Sequence, residues 1–177
     1  MQTTQLALLR GINVGGKNKL PMRDLSGIFV AAGCENVRTL IQSGNVIFTA
    51  ESRVSKGLAD VVTAQISERF GHRVPVILRT AQQLSEVVSK NPFSHVEEML
   101  HVMFLADRPG SKEVAGLDPN RSAPDAFSVV GQEIYLHLPN GGAKTKLTNA
   151  WFDSRLATTS TVRNWRTVTR LLAMMEE

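Results

Sequence analysis

The sequence predicts an α+β protein made of two successive halves, each with an antiparallel sheet and helices packed on one face. Three observations lead to this fold class. Short apolar strands alternate with amphipathic helices, glycine, proline or asparagine separates neighbouring elements, and the element order of the first half nearly repeats in the second. A chain of 177 residues is long enough for two small domains of this kind.

The first half, residues 1–80, carries the clearer pattern. Its predicted elements are a strand over Thr4–Arg10, a helix from Pro21 to Gly33, strands over Asn36–Ile41 and Val46–Ala50 joined by the hairpin Gln42–Asn45, a helix over Ser55–Phe70 and a strand over Val74–Arg79. The order β-α-β-β-α-β is that of the ferredoxin-like, or split βαβ, fold.

The second half is predicted to be a degenerate copy of the same unit. Residues 81–98 form a link that contains a helix over Ala81–Ser89, and residues 99–177 form the second subdomain. Its predicted elements are strands over Leu100–Ala106, Ala126–Val130 and Glu133–Leu138, and helices over Lys112–Leu117, Leu147–Leu156 and Thr161–Met174. The last position of the unit is thus expected to be a helix where the first half has a strand.

Composition favours a cytoplasmic protein without a membrane partner. The N-terminal apolar run Leu6–Leu9 is too short for a signal peptide or a membrane span. Cys34 is the only cysteine, so no intrachain disulfide can form and a reducing compartment is expected. The formal net charge of +4 is lower than nucleic-acid-binding proteins usually carry.

The distribution of charge is more informative than its sum. Residues 1–23, 134–152 and 154–175 contain no carboxylate, but they do contain basic residues: Arg10, Lys17, Lys19, Arg23, Lys144, Lys146, Arg155, Arg163, Arg166 and Arg170. One interpretation is that the three stretches meet on one basic face, and the other is that they are ordinary surface charges.

The predicted topology brings two polar, glycine-bearing loops together. The first and third strands of a ferredoxin-like unit are antiparallel neighbours, so residues 10–19 should lie beside the Gln42–Asn45 hairpin. The candidate ligand-binding residues at this rim are Arg10, Asn13, Gly15, Gly16, Lys17, Lys19, Ser43 and Asn45. Backbone amides at the glycines could bind an anion, with the cations adding charge. The alternative is that these glycine and asparagine residues serve turn geometry alone.

A second candidate lies near the C-terminus. Hydroxyls at residues 158–161 suggest the N-cap of the last predicted helix, whose first turn would carry Arg163 and Asn164. A helix N-terminus with an arginine can bind an anion. The alternative is a solvated arginine face opposite a core stripe that includes Trp165.

Three blocks closely resemble the signature sequences of the domain of unknown function 1697 family. They are LLRGINVGGKNKLPM at Leu8–Met22, VRTLIQSGNVIF at Val37–Phe48 and TVRNWRTV at Thr161–Val168, and the resemblance extends, in order, over essentially the whole chain. The resemblance implies two ferredoxin-like subdomains and no established activity. The third block of the family more often has asparagine where this chain has Arg166.

Other site types fit the sequence less well. Gly11, Gly16 and Lys17 fit the first three fixed positions of the nucleotide P-loop motif G-x-x-x-x-G-K-[ST]. Asn18 occupies the last position, where the motif needs a hydroxyl that binds magnesium. Only ten residues are Phe, Tyr or Trp, too few for RNA recognition by stacking. The four histidines show no metal-ligand spacing, and no hydrolase motif occurs.

The sequence therefore favours a binding protein for a phosphate-bearing or other anionic ligand at the glycine-rich rim. The alternatives are an enzyme acting on a nucleotide or anionic metabolite with Lys17 and Arg10 as electrostatic stabilisers, a loose binder of the nucleic-acid backbone, and a scaffold without a ligand. The sequence assigns no catalytic residue, cofactor or metal, and it leaves the oligomeric state open.

Overall fold

A computed structural model describes every residue from Met1 to Glu177 and shows two compact units. The first comprises Met1–Leu84 and Leu171–Glu177, and the second comprises Ser85–Arg170. The strands are β1 (Gln2–Leu9), β2 (Glu35–Leu40), β3 (Asn45–Glu51), β4 (Val76–Thr80), β5 (Leu100–Leu105), β6 (Ala126–Val130), β7 (Glu133–His137) and β8 (Ser160–Asn164). The helices are α1 (Met22–Ala31), α2 (Ser52–Ser55), α3 (Leu58–Phe70), α4 (Ala81–Ser89), α5 (Ser111–Ala115), α6 (Asn149–Leu156) and α7 (Trp165–Glu176), with a 3₁₀ turn at Glu97–Met99.

The sheet of the first unit has the strand order β2-β3-β1-β4, and every pair in it is antiparallel. The central strand β1 is apolar over Leu6–Leu9 and fully buried there, as a strand covered on both faces should be. It pairs with β3 through contacts such as Ala7 with Val46, which confirms the predicted pairing of the first and third strands.

Helices α1 and α3 cover one face of this sheet. Leu58, Val62 and Ile66 recur at four-residue spacing on α3 and are buried against the strand side chains Ala7, Leu9, Val46 and Phe48. The helix predicted over Ser55–Phe70 is wrong at its start, because Gly57 adopts a left-handed conformation and separates the short α2 from α3. Gly71 ends α3 as predicted, and its amide donates to the Ser67 carbonyl at 2.9 Å.

The second unit repeats this topology in full, with the strand order β6-β7-β5-β8 and antiparallel pairing throughout. The prediction of a helix beginning near Thr161 is wrong, since Ser160–Asn164 is the edge strand β8, paired with β5. Thr161 and Val162 are β-branched and suit a strand, and the helix begins only at Trp165. The second unit is therefore β-α-β-β-α-β, a complete ferredoxin-like unit.

The core of the second unit is rich in aromatic side chains. Trp151 and Phe152 on α6 make edge-to-face contacts with each other and with Phe127 on β6. Helix α6 begins at Asn149, where the Thr148 hydroxyl accepts a hydrogen bond from the Trp151 amide at 3.2 Å. The two units thus confirm the predicted fold class of antiparallel sheets with helices.

A pair of glycine substitutions tests how tightly the turn before β3 packs. A Cβ added at Gly44 would lie 2.7 Å from Leu9 Cβ at a φ of +78°, whereas one added at Gly16, at a φ of +74°, would meet nothing within 4 Å. The positive φ costs an alanine about 1–2 kcal/mol at either position, and overpacking adds about 1–3 kcal/mol at Gly44 alone.

Urea unfolding should therefore show Gly44→Ala to be less stable than Gly16→Ala by at least about 1 kcal/mol. Equal loss in the two variants would mean that the close approach of Gly44 to Leu9 contributes nothing to stability.

Candidate functional site

Three loops meet at one end of the first sheet. The Leu9 amide donates to the Gly44 carbonyl at 2.9 Å, and the Arg10 amide donates to the Pro75 carbonyl at 3.1 Å. The Asn13 side-chain amide donates to the Gln42 carbonyl at 2.9 Å. We call residues 10–20, 41–45 and 71–75 together the basic loop cluster.

The side chain of Asn13 organises the longest of these loops. Its Oδ1 accepts from the Leu20 amide at 2.8 Å and its Nδ2 donates to the Leu20 carbonyl at 2.9 Å, so the start and end of the loop are joined. Asn18 Nδ2 donates to the Gly11 carbonyl at 2.8 Å in the same way. Because Ile12 and Leu20 are also buried, the loop has a fixed base.

The tip of this loop is a tight turn. The Lys17 amide donates to the Val14 carbonyl at 2.9 Å, and Gly15 and Gly16 between them have φ values of +57° and +74°. Two consecutive positive φ angles are those of a type I′ turn, which glycine adopts readily. Gly15, Gly16 and Lys17 are all exposed, so backbone amides and a lysine side chain lie next to each other at the tip of the loop.

The position of Lys17 is incompatible with a nucleotide P-loop. Lys17 lies in a β-turn, and helix α1 begins only at Met22, so Lys17 does not open a helix as the lysine of a P-loop does. The surrounding sheet is also entirely antiparallel, whereas nucleotide-binding P-loops belong to parallel sheets.

A buried asparagine holds the second loop, residues 41–45, in place. Asn45 is fully buried, and its Nδ2 donates to the Leu40 carbonyl at 3.0 Å and to Ser43 Oγ at 2.9 Å. Ser43 is half-buried beside it. The side-chain amides of Asn13 and Asn45 thus hold the loop backbone, whereas the side chains of Lys17, Lys19 and Arg73 are exposed.

Basic side chains are concentrated in the cluster. Arg10 is half-buried, whereas Lys17, Lys19 and Arg73 are exposed, and none of the three loops contains a carboxylate. His72 Nε2 lies 3.3 Å from the Lys19 carbonyl oxygen, which places the third loop against the first. Sequence reasoning missed His72 and Arg73. The predicted topology could have found them, because the antiparallel strand β4 begins at the end of the sheet where β1 ends, which brings the loop before β4 to the same place.

The corresponding end of the second unit has the same backbone framework without the charge. The Leu105 amide donates to the Gln132 carbonyl at 2.9 Å, and the Ala106 amide donates to the Thr159 carbonyl at 2.8 Å, matching the bonds of Leu9 and Arg10. Residues 106–110, 131–133 and 157–159 there carry charges only at Asp107, Arg108 and Glu133. The cations of the first unit are therefore not required by the fold.

Arg163 and Asn164 lie in the second unit, in positions that differ from the prediction. Arg163 belongs to β8 and is only 8% exposed, and its Nη1 donates to Thr161 Oγ1 and to the Val162 carbonyl, both at 2.8 Å. Burial lowers the pKa of Arg163 to about 10, so it stays charged at neutral pH. The cap of α7 is Asn164, whose Oδ1 accepts from the Thr167 amide at 2.8 Å, and the expected cap at residues 158–161 is wrong.

An arginine occupies the same position in the first unit. Arg79 on β4 pairs with Leu6, as Arg163 on β8 pairs with Val102, and its Nη1 donates to the Leu78 carbonyl at 2.9 Å. Both arginines are buried. Each is followed by a polar residue whose side chain accepts a hydrogen bond from a first-turn helix amide, Thr80 before α4 and Asn164 before α7. The repeated unit thus includes a buried arginine at the junction of strand and helix.

The remaining reactive groups are isolated. Cys34 is buried, and desolvation raises the pKa of its thiol to about 11, which keeps it protonated. No group of three histidine, cysteine or acidic side chains is placed to hold a metal ion. None of the helices combines the length and the hydropathy that a membrane span would need.

Fold and site together define a protein of two ferredoxin-like units in which one unit carries a cationic loop cluster. The chain belongs to the family described as "Protein of unknown function (DUF1697)", whose model matches residues 2–135. In structure it is similar to a conserved bacterial protein, SP0830 from Streptococcus pneumoniae, with a TM-score of 0.77 and 21% identity over 100% of both chains. Comparison with curated proteins gives no significant match.

Arg163 is buried and Arg166 is exposed, so replacing each by alanine should have different effects on the free energy of unfolding. Arg163→Ala removes buried, charge-assisted hydrogen bonds and should lower the free energy of unfolding by about 1.5–3 kcal/mol. Arg166→Ala removes an exposed side chain and should change it by less than about 0.5 kcal/mol. Chemical denaturation of the two variants measures the difference, and similar stabilities would show that the hydrogen bonds of Arg163 contribute little.

Proposed function

We propose that the protein binds a phosphate-bearing or other anionic ligand at the basic loop cluster, and that it does so in the cytoplasm. The observation that supports this is the contrast between the two units. They share the hydrogen-bonded framework at this end of the sheet, but only the first unit has four cations and no carboxylate there. A charge distribution that the fold does not need is best explained by a partner of opposite charge.

The groups suited to this ligand are of two kinds. The amides of Gly15 and Gly16 are fixed donors, because the turn that carries them is held by Asn13 and Asn18. Lys17 ends that turn and Lys19 follows it two residues later, and both are exposed cations that add charge-assisted hydrogen bonds to phosphate oxygens. Fixed donors bind with little ordering cost, and mobile cations accommodate ligands of different shape.

Removing one lysine of the cluster should weaken binding without unfolding the protein. A charge-assisted hydrogen bond contributes about 1.5–3 kcal/mol, so Lys17→Ala or Lys19→Ala should raise the Kd for an anionic ligand about tenfold or more. Lys56→Ala is the matched control, because Lys56 is an exposed lysine of the same unit outside the cluster.

The measurement is a calorimetric titration of wild type and the three variants with pyrophosphate, ATP and a short oligonucleotide. Loss of affinity in Lys17→Ala and Lys19→Ala but not in Lys56→Ala supports the proposal. Equal affinity in all four proteins, or no binding of any probe, would contradict it.

Binding should not depend on magnesium, and ATP should not be hydrolysed. Asn18 offers no hydroxyl to the metal, and its side chain is engaged with the Gly11 carbonyl at 2.8 Å. The test is to repeat the ATP titration with magnesium and with a chelator, and to follow phosphate release. Magnesium-dependent turnover that is lost in Lys17→Ala would overturn this prediction.

A further inference from the structure

One residue of the basic loop cluster has a backbone conformation that its side chain disfavours. Ile41, the first residue after β2, has a φ of +51°, in the left-handed region. The other non-glycine residues with a positive φ are three asparagines, which tolerate this region, and Ala157 at the end of α6. Ile41 is the only β-branched residue among them, so its backbone is strained.

The second unit makes the corresponding turn without this strain. Gly131, the first residue after β6, also has a positive φ, of +63°, which glycine adopts without a steric clash. The hairpin between β6 and β7 has two residues and the one between β2 and β3 has four, but both begin with a residue of positive φ. Glycine or asparagine would therefore suit the turn after β2 better than isoleucine does.

The side chain of Ile41 does not offset the strain by packing in the core. It is 56% exposed, so more than half of its surface is in contact with solvent. Val14, in the first loop of the cluster, is 63% exposed. The two loops are joined next to these residues, because Asn13 Nδ2 donates to the Gln42 carbonyl at 2.9 Å. The basic loop cluster thus carries two exposed aliphatic side chains as well as its cations.

We propose that Ile41 contacts the organic part of the bound ligand, and that this ligand is a phosphate ester with an apolar group. The inference rests on the proposed binding of an anion at the basic loop cluster. An exposed isoleucine alone would need no explanation, but strained residues that the fold does not require are concentrated at binding sites. Lys17 and Lys19 attract the phosphate oxygens, while Ile41 and Val14 remove apolar surface of the ligand from water.

The test compares pyrophosphate with ADP and geranyl diphosphate, which attach different organic groups to the same anion. In calorimetric titrations of the full chain, wild type should bind at least one of the two about fourfold or more tightly than pyrophosphate, the effect of burying one CH₂ group. Ile41→Asn should lose this advantage and keep its affinity for pyrophosphate. It should also raise the temperature of thermal unfolding by about 2 °C or more, since asparagine tolerates a positive φ.

Val30→Asn is the matched control, because Val30 is 59% exposed on α1, in the same unit but outside the cluster. Loss of the advantage in Ile41→Asn but not in Val30→Asn supports the proposal. An advantage that survives in Ile41→Asn would overturn it, as would a lower unfolding temperature of that variant, because Ile41 would then serve the fold.

The pyrophosphate arm separates this inference from the proposed function. If wild type binds neither organic diphosphate more tightly than pyrophosphate, the contact with Ile41 is wrong, but pyrophosphate binding that Lys17→Ala weakens would still support the anion site. If no diphosphate binds at all, both proposals are wrong.

Discussion

The position of β1 in the middle of its sheet determines what the first unit can do. Its antiparallel pairing with β3 and β4 sets Leu8 opposite Asn45 and Leu9 opposite Val76. The end of β1 therefore meets the turn before β3 and the loop before β4. A shift of one residue in this register would exchange the side chains of β1 between the two faces of the sheet and remove Ala7 and Leu9 from the core that they share with α1 and α3. The packing of the core therefore also fixes the meeting of the loops. The existence of the basic loop cluster therefore depends on the register of β1.

The internal repeat separates what the fold requires from what it permits. Both units bond the last residue of the central strand to the neighbouring hairpin and the next residue to the loop before the edge strand. Both also place a buried arginine before a helix cap. Charge at the loops is not shared, since Ala106 takes the place of Arg10 in the matching hydrogen bond. Features common to both copies therefore reflect folding, and those confined to one copy are candidates for function.

The sequence was sufficient for the fold class and for the meeting of the first two loops, because hydrophobic periodicity and element order determine a ferredoxin-like topology. It failed at β8, where Val162, Trp165 and Val168 have helical spacing although the spacing spans a junction between strand and helix. It offered ligand contact and turn geometry as alternative roles of Asn13 and Asn45 without deciding between them, and both side chains bond to their own loops. Side-chain hydrogen bonds of this kind depend on distances that element order does not contain.

These loop bonds bear on how an exposed cluster of cations could bind selectively. Surface charges are screened by salt and contribute little singly, so Lys17 and Lys19 alone would attract many anions weakly. The amides of Gly15 and Gly16 have a fixed direction, because Asn13 and Asn18 close the base of the loop. A rigid pair of donors beside mobile cations favours a compact group with several oxygen acceptors over a diffuse negative charge. The asparagines thus affect recognition through the backbone they hold.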